Sequence, residues 1–172
     1  MTLRAAGLWG ILGVVALLGE ALYRLVPLAV DLLGSSLSLV ELVVLVVWVV
    51  TCGYTEGYRG FHQQFSPRVV ARAVHLSAHP RPLFVALAPL YCMGLIHATR
   101  RRLISSWILT LAIIAVVLLV REVAQPWRGI IDAGVVVGLS LGTLSIGYHA
   151  LRALRGLAMP VPTDVPEETL TP

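Results

Sequence analysis

Histidine and arginine side chains at helical spacing are the most promising chemical feature of this chain. They lie in the one long polar interval of an otherwise apolar sequence, and spacings of four, three and four residues place them on one helical face: Arg68, Arg72, His75 and His79. Arginine and histidine bind phosphate oxygens through charge-assisted hydrogen bonds. We therefore predict a basic surface that binds anionic lipid headgroups or a phosphorylated small molecule. The alternative is that these residues only orient the protein and anchor a helix at a bilayer surface.

A second polar grouping, upstream in the same interval, has residue types suited to catalysis. Glu56 and Arg59 stand about one helical turn apart, and His62 follows about one turn later. A carboxylate base beside a cation that binds phosphate would suit a reaction at a membrane surface, although a structural ion pair explains the same spacing. The sequence contains no glycine-rich phosphate loop, nucleophile elbow or paired-carboxylate motif. The prediction therefore leans away from an enzyme and keeps these three residues as the alternative.

Two further histidines raise the question of a cofactor. His97 and His149 lie near the ends of apolar stretches, where imidazoles from two helices would supply the axial ligands of a haem. A single histidine in such a position is more often hydrogen-bonded within the protein, so we expect no cofactor and keep haem as the alternative. His75 and His79 have the spacing of a zinc-binding helix, but HLSAH lacks the glutamate of that motif, and a third ligand is not evident. No metal site is predicted.

Composition places all of these residues in a membrane protein. Of the 172 residues, 58% are hydrophobic and only 13% are charged, whereas charged residues make up about a quarter of soluble domains. The apolar runs are continuous rather than alternating, as in residues 42–50 and 108–120, which favours helices over a membrane β-barrel. All thirteen cationic side chains are arginine. We predict an all-α polytopic membrane protein.

Hydrophobic stretches divide a single membrane domain, residues 1–158, into its elements. Four transmembrane spans are predicted at about residues 5–26, 37–53, 103–120 and 130–151. Residues 83–98 would reach only about 24 Å as a straight helix, less than the hydrocarbon thickness of about 30 Å, so this segment is expected to be short or re-entrant. The acidic, proline-rich residues 159–172 are predicted to form a disordered tail.

The polar interval itself is predicted to form two helical pieces. Aromatic residues recur every three or four positions and form one stripe: Tyr54, Tyr58, Phe61 and Phe65. Ser66 followed by Pro67 is typical of a helix start, and the residues after it carry their basic and apolar side chains on different faces. We therefore expect an amphipathic surface helix over residues 67–79, on the cytoplasmic side.

The distribution of arginine distinguishes two topologies. If residues 83–98 turn back without crossing, ten arginines lie on the side of the N-terminus and two on the other, whereas a crossing segment gives a division of seven to five. Arginine accumulates on the cytoplasmic side of membrane proteins. We therefore predict four spans with both termini in the cytoplasm, in the inner membrane of a bacterium.

Glycines in the last predicted span indicate close helix packing. Gly134, Gly138 and Gly142 are spaced by four residues, a pattern that lets two helix backbones approach. The partner is either another helix of this chain or a second protein molecule. We predict a non-enzymatic subunit that assembles with a membrane-protein partner or with itself and contacts anionic lipid, with no nucleic-acid partner. The alternative is a small membrane enzyme that acts on a lipid or a phosphorylated metabolite.

Overall fold

The computed structural model describes residues 3–34 and 36–166, and this part of the chain is helical with no strand. Its α-helices are α1 (Ala5–Asp31), α2 (Leu39–Cys52), α3 (Ser66–Ala78), α4 (Pro82–Ala86), α5 (Ala88–Cys92), α6 (Arg100–Arg121) and α7 (Trp127–Leu154). A 3₁₀ turn at Leu32–Gly34 follows α1, and a π-helix at Gly53–Phe65 joins α2 to α3. Four stretches are long and apolar enough to cross a bilayer: α1, the helix from α2 through α3, α6 and α7. The prediction of an all-helical chain with four apolar spans is confirmed at this level.

The helix from α2 through α3 is continuous. It begins with a capping box, in which the Ser38 amide donates to the Glu41 carboxylate at 2.8 Å and the Glu41 amide donates to the Ser38 hydroxyl. Ser66 has helical backbone angles, so the helix is not interrupted at Ser66–Pro67, where a restart was expected. In the π-helix before it, each backbone carbonyl accepts a hydrogen bond from the amide five residues later. Pro67 has no amide hydrogen to donate to the His62 carbonyl, and this carbonyl accepts a hydrogen bond from His149 of α7 instead.

Helix α7 packs along this long helix through the predicted glycine face. All three glycines are buried, and each lies under a side chain of the long helix: Gly134 under Trp48, Gly138 under Glu56 and Gly142 under Phe61. A Cβ atom at Gly142 would lie only 2.5 Å from Phe61 Cδ1. Because the residue numbers on both helices rise together, the two helices run parallel. A helix of the same chain therefore covers the glycine face.

Helices α4 and α5 form a short hairpin against the first half of α1. The tip of this hairpin, at Ala88 and Pro89, fits over Gly10 and Gly13 of α1. After α5 the chain lies against α3 again, where the carbonyl of His97 accepts a hydrogen bond from the Arg72 side chain at 3.0 Å. The segment expected to be short or re-entrant thus starts and finishes at the same end of the bundle.

Several parts of the chain meet at that end. The Arg4 amide donates to the Ser77 hydroxyl at 3.0 Å, so α1 begins where α3 ends. The amide of Thr99, which precedes α6, donates to the carbonyl of Asp164 at 2.9 Å. We call this region the basic end, because it carries nine arginines: Arg4, Arg68, Arg72, Arg81, Arg100, Arg101, Arg102, Arg152 and Arg155.

Helix α3 lies deeper than the surface helix that was expected over residues 67–79. Nine of its thirteen residues are buried, because α1, α5 and α7 all pack against it. Its apolar positions Val69, Val70, Ala73 and Leu76 belong to the main hydrophobic core. The amphipathic pattern therefore corresponds to a helix enclosed by protein over most of its circumference, with none of its thirteen residues exposed.

The segment after α7 turns back onto the basic end. Met159 and Val165 pack against the hydrophobic core, and the Asp164 carboxylate forms an ion pair with Arg68 at 3.5 Å. Residues 159–166 of the predicted tail therefore have apolar and charged partners that composition does not reveal. Residues 167–172 of the predicted tail lie outside the described residues.

Candidate functional site

Arg72 is the structural centre of the basic end. Its side chain is only 1% exposed, and its guanidinium lies 4.3 Å from the centre of the Tyr91 ring. The guanidinium donates to backbone carbonyls at 2.5 to 3.5 Å, those of Tyr91, Ile96, His97, Thr163 and Asp164. Arginine is suited to this role because its five N–H groups point in fixed directions. Arg72 therefore holds three chain segments together and does not contribute its guanidinium to an open phosphate-binding surface.

A cleft of about 210 Å³ lies beside Arg72, between the end of α3 and the α4–α5 hairpin. We call it the histidine cleft and define it by its lining residues: His75, His79, Pro80, Arg81, Phe84, Tyr91 and His97. Three of these residues are histidines, one is an arginine and none is acidic. The local chemistry thus favours a negatively charged ligand over a cation.

Hydrogen bonds and ring contacts fix the orientation of the cleft histidines. The Nδ1 atom of His75 lies 3.0 Å from the Tyr91 hydroxyl, and the His75 and His79 rings are 4.9 Å apart. The His97 ring stacks on Phe84 at 4.5 Å. The Nε2 atoms of both His75 and His97 are buried without a hydrogen-bond partner among the described residues. Both unpartnered atoms belong to side chains that line the same cleft.

The backbone and charge state of His97 follow from its position in the turn after α5. Its φ angle is +48°, in the left-handed region that non-glycine residues seldom adopt. Burial lowers the pKa of His97 below its ordinary value, and the nearby Arg81 and Arg72 lower that pKa further. The imidazole is therefore neutral at pH 7 and has one N–H to donate.

The four residues of the predicted basic face have different environments. His75 and His79 line the histidine cleft, whereas Arg72 faces backbone carbonyls. Arg68 pairs with Asp164 and also donates to the Gln64 carbonyl at 3.3 Å. The structure thus brings two of the four residues into a common site and uses the other two to fasten chain segments.

The predicted catalytic grouping is not brought together. His62 Nδ1 lies 2.9 Å from the Ser145 hydroxyl of α7, and the Glu56 carboxylate faces Gly138. Arg59 is exposed, and no ion pair joins it to Glu56 in the part of the chain that the structure describes. The π-helix explains the separation, because its wider turn removes the alignment of residues three apart.

The histidines considered for haem lie in different clusters. His97 contacts Phe84 and Tyr91, whereas His149 contacts His62 and Tyr148. Such an arrangement does not supply two axial ligands on opposite sides of one iron. Within residues 3–34 and 36–166, no group of three metal-ligating side chains is placed to hold a metal ion either.

Phe84 and Tyr91 are the cleft residues that the sequence did not single out. Both lie in a hydrophobic segment, where aromatic residues ordinarily indicate packing against other apolar groups. The proline-flanked Arg81 between His79 and Phe84 was the available sign that this segment has a polar edge. Phe84 and Tyr91 come together because of the turn between α4 and α5, which local spacing does not predict.

No family model, curated protein or solved structure matches this chain. The residues of the site and the distribution of charge are therefore the observations that bear on its function.

Proposed function

We propose that this chain is a non-enzymatic, multi-pass protein of a bacterial inner membrane that binds anionic lipid headgroups through its basic end and serves as a subunit of a membrane assembly. The observation that carries the proposal is the distribution of arginine. Nine of the thirteen arginines belong to the basic end, and the opposite end has Arg121 and Arg128. A charge difference of this size is typical of a protein oriented by, and attached to, an anionic membrane surface.

The orientation is part of the same proposal. Four crossings return the chain to the side on which it began, and the α4–α5 hairpin acts as a re-entrant segment that does not add a fifth. Both termini then lie with the basic end in the cytoplasm, as the positive-inside rule favours. Arginine near an anionic bilayer surface contributes about 1 kcal/mol per residue to membrane attraction.

Three arginines at the basic end support lipid contact most directly. Arg81, Arg100 and Arg101 are exposed and form no ion pair within the described part of the chain. Asp164, an acidic residue at the same end, is paired with Arg68 instead. The exposed guanidinium groups are therefore free to bind phosphate oxygens in pairs of parallel hydrogen bonds.

Native mass spectrometry of retained phosphatidylglycerol tests this function. The wild-type protein is compared with an Arg100→Gln, Arg101→Gln double variant and with Arg121→Gln, a matched control at the opposite end of α6. We expect the double variant to retain several-fold less phosphatidylglycerol and the control to retain as much as the wild type. Equal retention by all three proteins contradicts the proposal. Loss of a co-purifying protein without loss of lipid would identify the basic end as a protein-binding surface instead.

The enzyme alternative is supported by one specific contact. The Ser145 hydroxyl and the His62 imidazole, 2.9 Å apart, have the geometry of a nucleophile and its base. Ser145 is only 5% exposed, which favours a hydrogen bond between helices. Labelling with a fluorophosphonate probe separates the two functions, with Ser145→Ala as the control. Labelling that disappears in Ser145→Ala supports the enzyme, whereas an unlabelled wild-type protein supports the structural role.

A further inference from the structure

We propose that the histidine cleft is a specific binding site for a phosphate group, carried either by a soluble phosphomonoester or by a phospholipid headgroup. The inference rests on the proposed function, because it gives the anionic ligand of the basic end a defined site. It differs from general attraction to a membrane surface, which needs only exposed arginines. The cleft residues are separate from Arg100 and Arg101, so that the two proposals can fail independently.

Two ring nitrogens beside the cleft lack hydrogen-bond partners. A Tyr91 hydroxyl that donates to His75 Nδ1 leaves the proton of a neutral His75 ring on Nε2. The Nε2 atoms of His75 and His97 are both buried without a partner in the described region. Buried donors are nearly always satisfied in folded proteins, and each exception calls for an explanation. A phosphate oxygen accepts hydrogen bonds and would satisfy both.

The charge around the cleft also favours an anion. Among the residues that the structure describes, no acidic side chain lines the cleft, and the exposed Arg81 lies at its rim with its guanidinium carbon 6.0 Å from the centre of the Phe84 ring. The Arg72 guanidinium lies behind the opposite wall, over the Tyr91 ring at 4.3 Å. A phosphate between these two cations would be attracted by both, and the Arg81 fork would reach it with two hydrogen bonds.

The size of the cleft suits a small ligand. At about 210 Å³ the cleft is smaller than the pockets of roughly 300 to 1,000 Å³ that hold drug-sized ligands. A phosphate with a few attached carbon atoms fits this volume. The Phe84 and Tyr91 rings, 5.4 Å apart, form an apolar wall, which suits the carbon atoms that carry the phosphate.

Access to the cleft runs past its exposed rim. His79 and Arg81 are both exposed and belong to the short connection between α3 and α4, so their side chains can rotate without disturbing the core. A ligand that displaces them reaches the Nε2 atoms of His75 and His97 from the solvent side. Arg81 then turns from the Phe84 ring to the ligand.

Two binding measurements on the full chain distinguish the sources of phosphate. Isothermal titration calorimetry in a neutral detergent uses inorganic phosphate and glycerol phosphate as soluble probes. Native mass spectrometry from nanodiscs that contain phosphatidic acid and phosphatidylcholine tests a lipid headgroup as the source of phosphate. Saturable binding of a soluble probe identifies a free phosphomonoester site, and selective retention of phosphatidic acid alone identifies a lipid headgroup site. Binding of neither by the folded wild-type protein overturns the proposal.

Variants show whether binding occurs in the cleft. Arg81→Ala and His97→Asn each remove one ligand contact, and we expect each to weaken binding about tenfold. Asn tolerates the left-handed backbone at position 97. If circular dichroism shows that either variant does not fold, Phe84→Leu replaces it. Arg59→Ala, which removes an exposed arginine outside the basic end, should bind phosphate within about twofold of the wild type. If Arg59→Ala weakens binding as much as Arg81→Ala, the cleft is not the site.

Discussion

The Nε2 atom of His149 lies 3.2 Å from the backbone carbonyl oxygen of His62 and donates a hydrogen bond to it. In the π-helix each carbonyl accepts from the amide five residues later, as the Ser66 amide donates to the Phe61 carbonyl. The next donor in this series would be the amide of residue 67, which is a proline and has none. A side chain of α7 therefore replaces the hydrogen bond that Pro67 removes from the long helix.

Replacement of His149 by phenylalanine should destabilise the protein by about 1 to 3 kcal/mol, because the His62 carbonyl would be left unsatisfied in a partly buried position. Thermal unfolding in detergent measures this change. Pro67→Ala restores a backbone amide at the required position, so the cost of His149→Phe should shrink in the Pro67→Ala background. Equal costs in both backgrounds would show that the two residues are not coupled through this carbonyl.

Arg72→Met should lower the free energy of unfolding by about 3 kcal/mol, because several carbonyls lose their donor at once. The same substitution should release the C-terminal segment, since Arg72 donates to Thr163 and Asp164. Limited proteolysis should therefore cut the variant sooner near residues 159–166. Arg59→Met, an exposed arginine of the same long helix, is the control, and similar proteolysis of both variants would argue against the role of Arg72.

Gly142→Ala and Gly147→Ala form a matched pair on α7. A Cβ atom at Gly142 would press on the Phe61 ring, whereas a Cβ at Gly147 has nothing within 4 Å. We expect Gly142→Ala to cost about 1 to 3 kcal/mol through overpacking. Gly147→Ala should be neutral or stabilising by up to about 1 kcal/mol, as alanine favours helix. Thermal unfolding of both variants in one detergent checks this, and equal losses would contradict the packing assigned to Gly142.

The protein should become less stable as the pH falls below about 6.5. The unfolded chain carries His97 with an ordinary pKa of 6.5, and folding lowers that pKa through burial and through Arg81 and Arg72. Between the two values the unfolded state binds more protons, so acid favours unfolding. Unfolding midpoints measured from pH 7.5 to pH 5 should fall less steeply for His97→Asn than for the wild type. An unchanged slope would show that His97 does not contribute.

Cysteine labelling should distinguish the two ends of α6. Under the proposed orientation, Arg121→Cys reacts with a membrane-impermeant maleimide in intact cells and Arg100→Cys does not, because only Arg121 reaches the outer surface. The native Cys52 and Cys92 are both buried and provide a low background. Labelling of Arg100→Cys from outside would reverse the orientation and remove the basic end from the cytoplasm.

The histidine cleft shows which part of the site could be predicted from the sequence. The spacing of His75 and His79 predicted that they share a helix face, and the structure places both in the cleft. The same spacing placed Arg72 beside them, yet Arg72 faces inward. The turn after α5 presents the carbonyls of Ile96 and His97 without helical partners, and buried carbonyls require donors. That requirement arises 24 and 25 residues away from Arg72 and leaves no trace in the local pattern of α3.

Composition and short-range periodicity are enough to predict that the chain is helical, that four stretches are long and apolar enough to cross a bilayer, and that arginine is unevenly distributed. Both properties act within one helix. Which polar groups meet depends on the packing of the helices: His149 contacts the His62 carbonyl, Arg72 the turn after α5, and His97 the Phe84 ring. These contacts join residues far apart in the chain, and they depend on how the backbone satisfies its buried polar groups once the helices have packed.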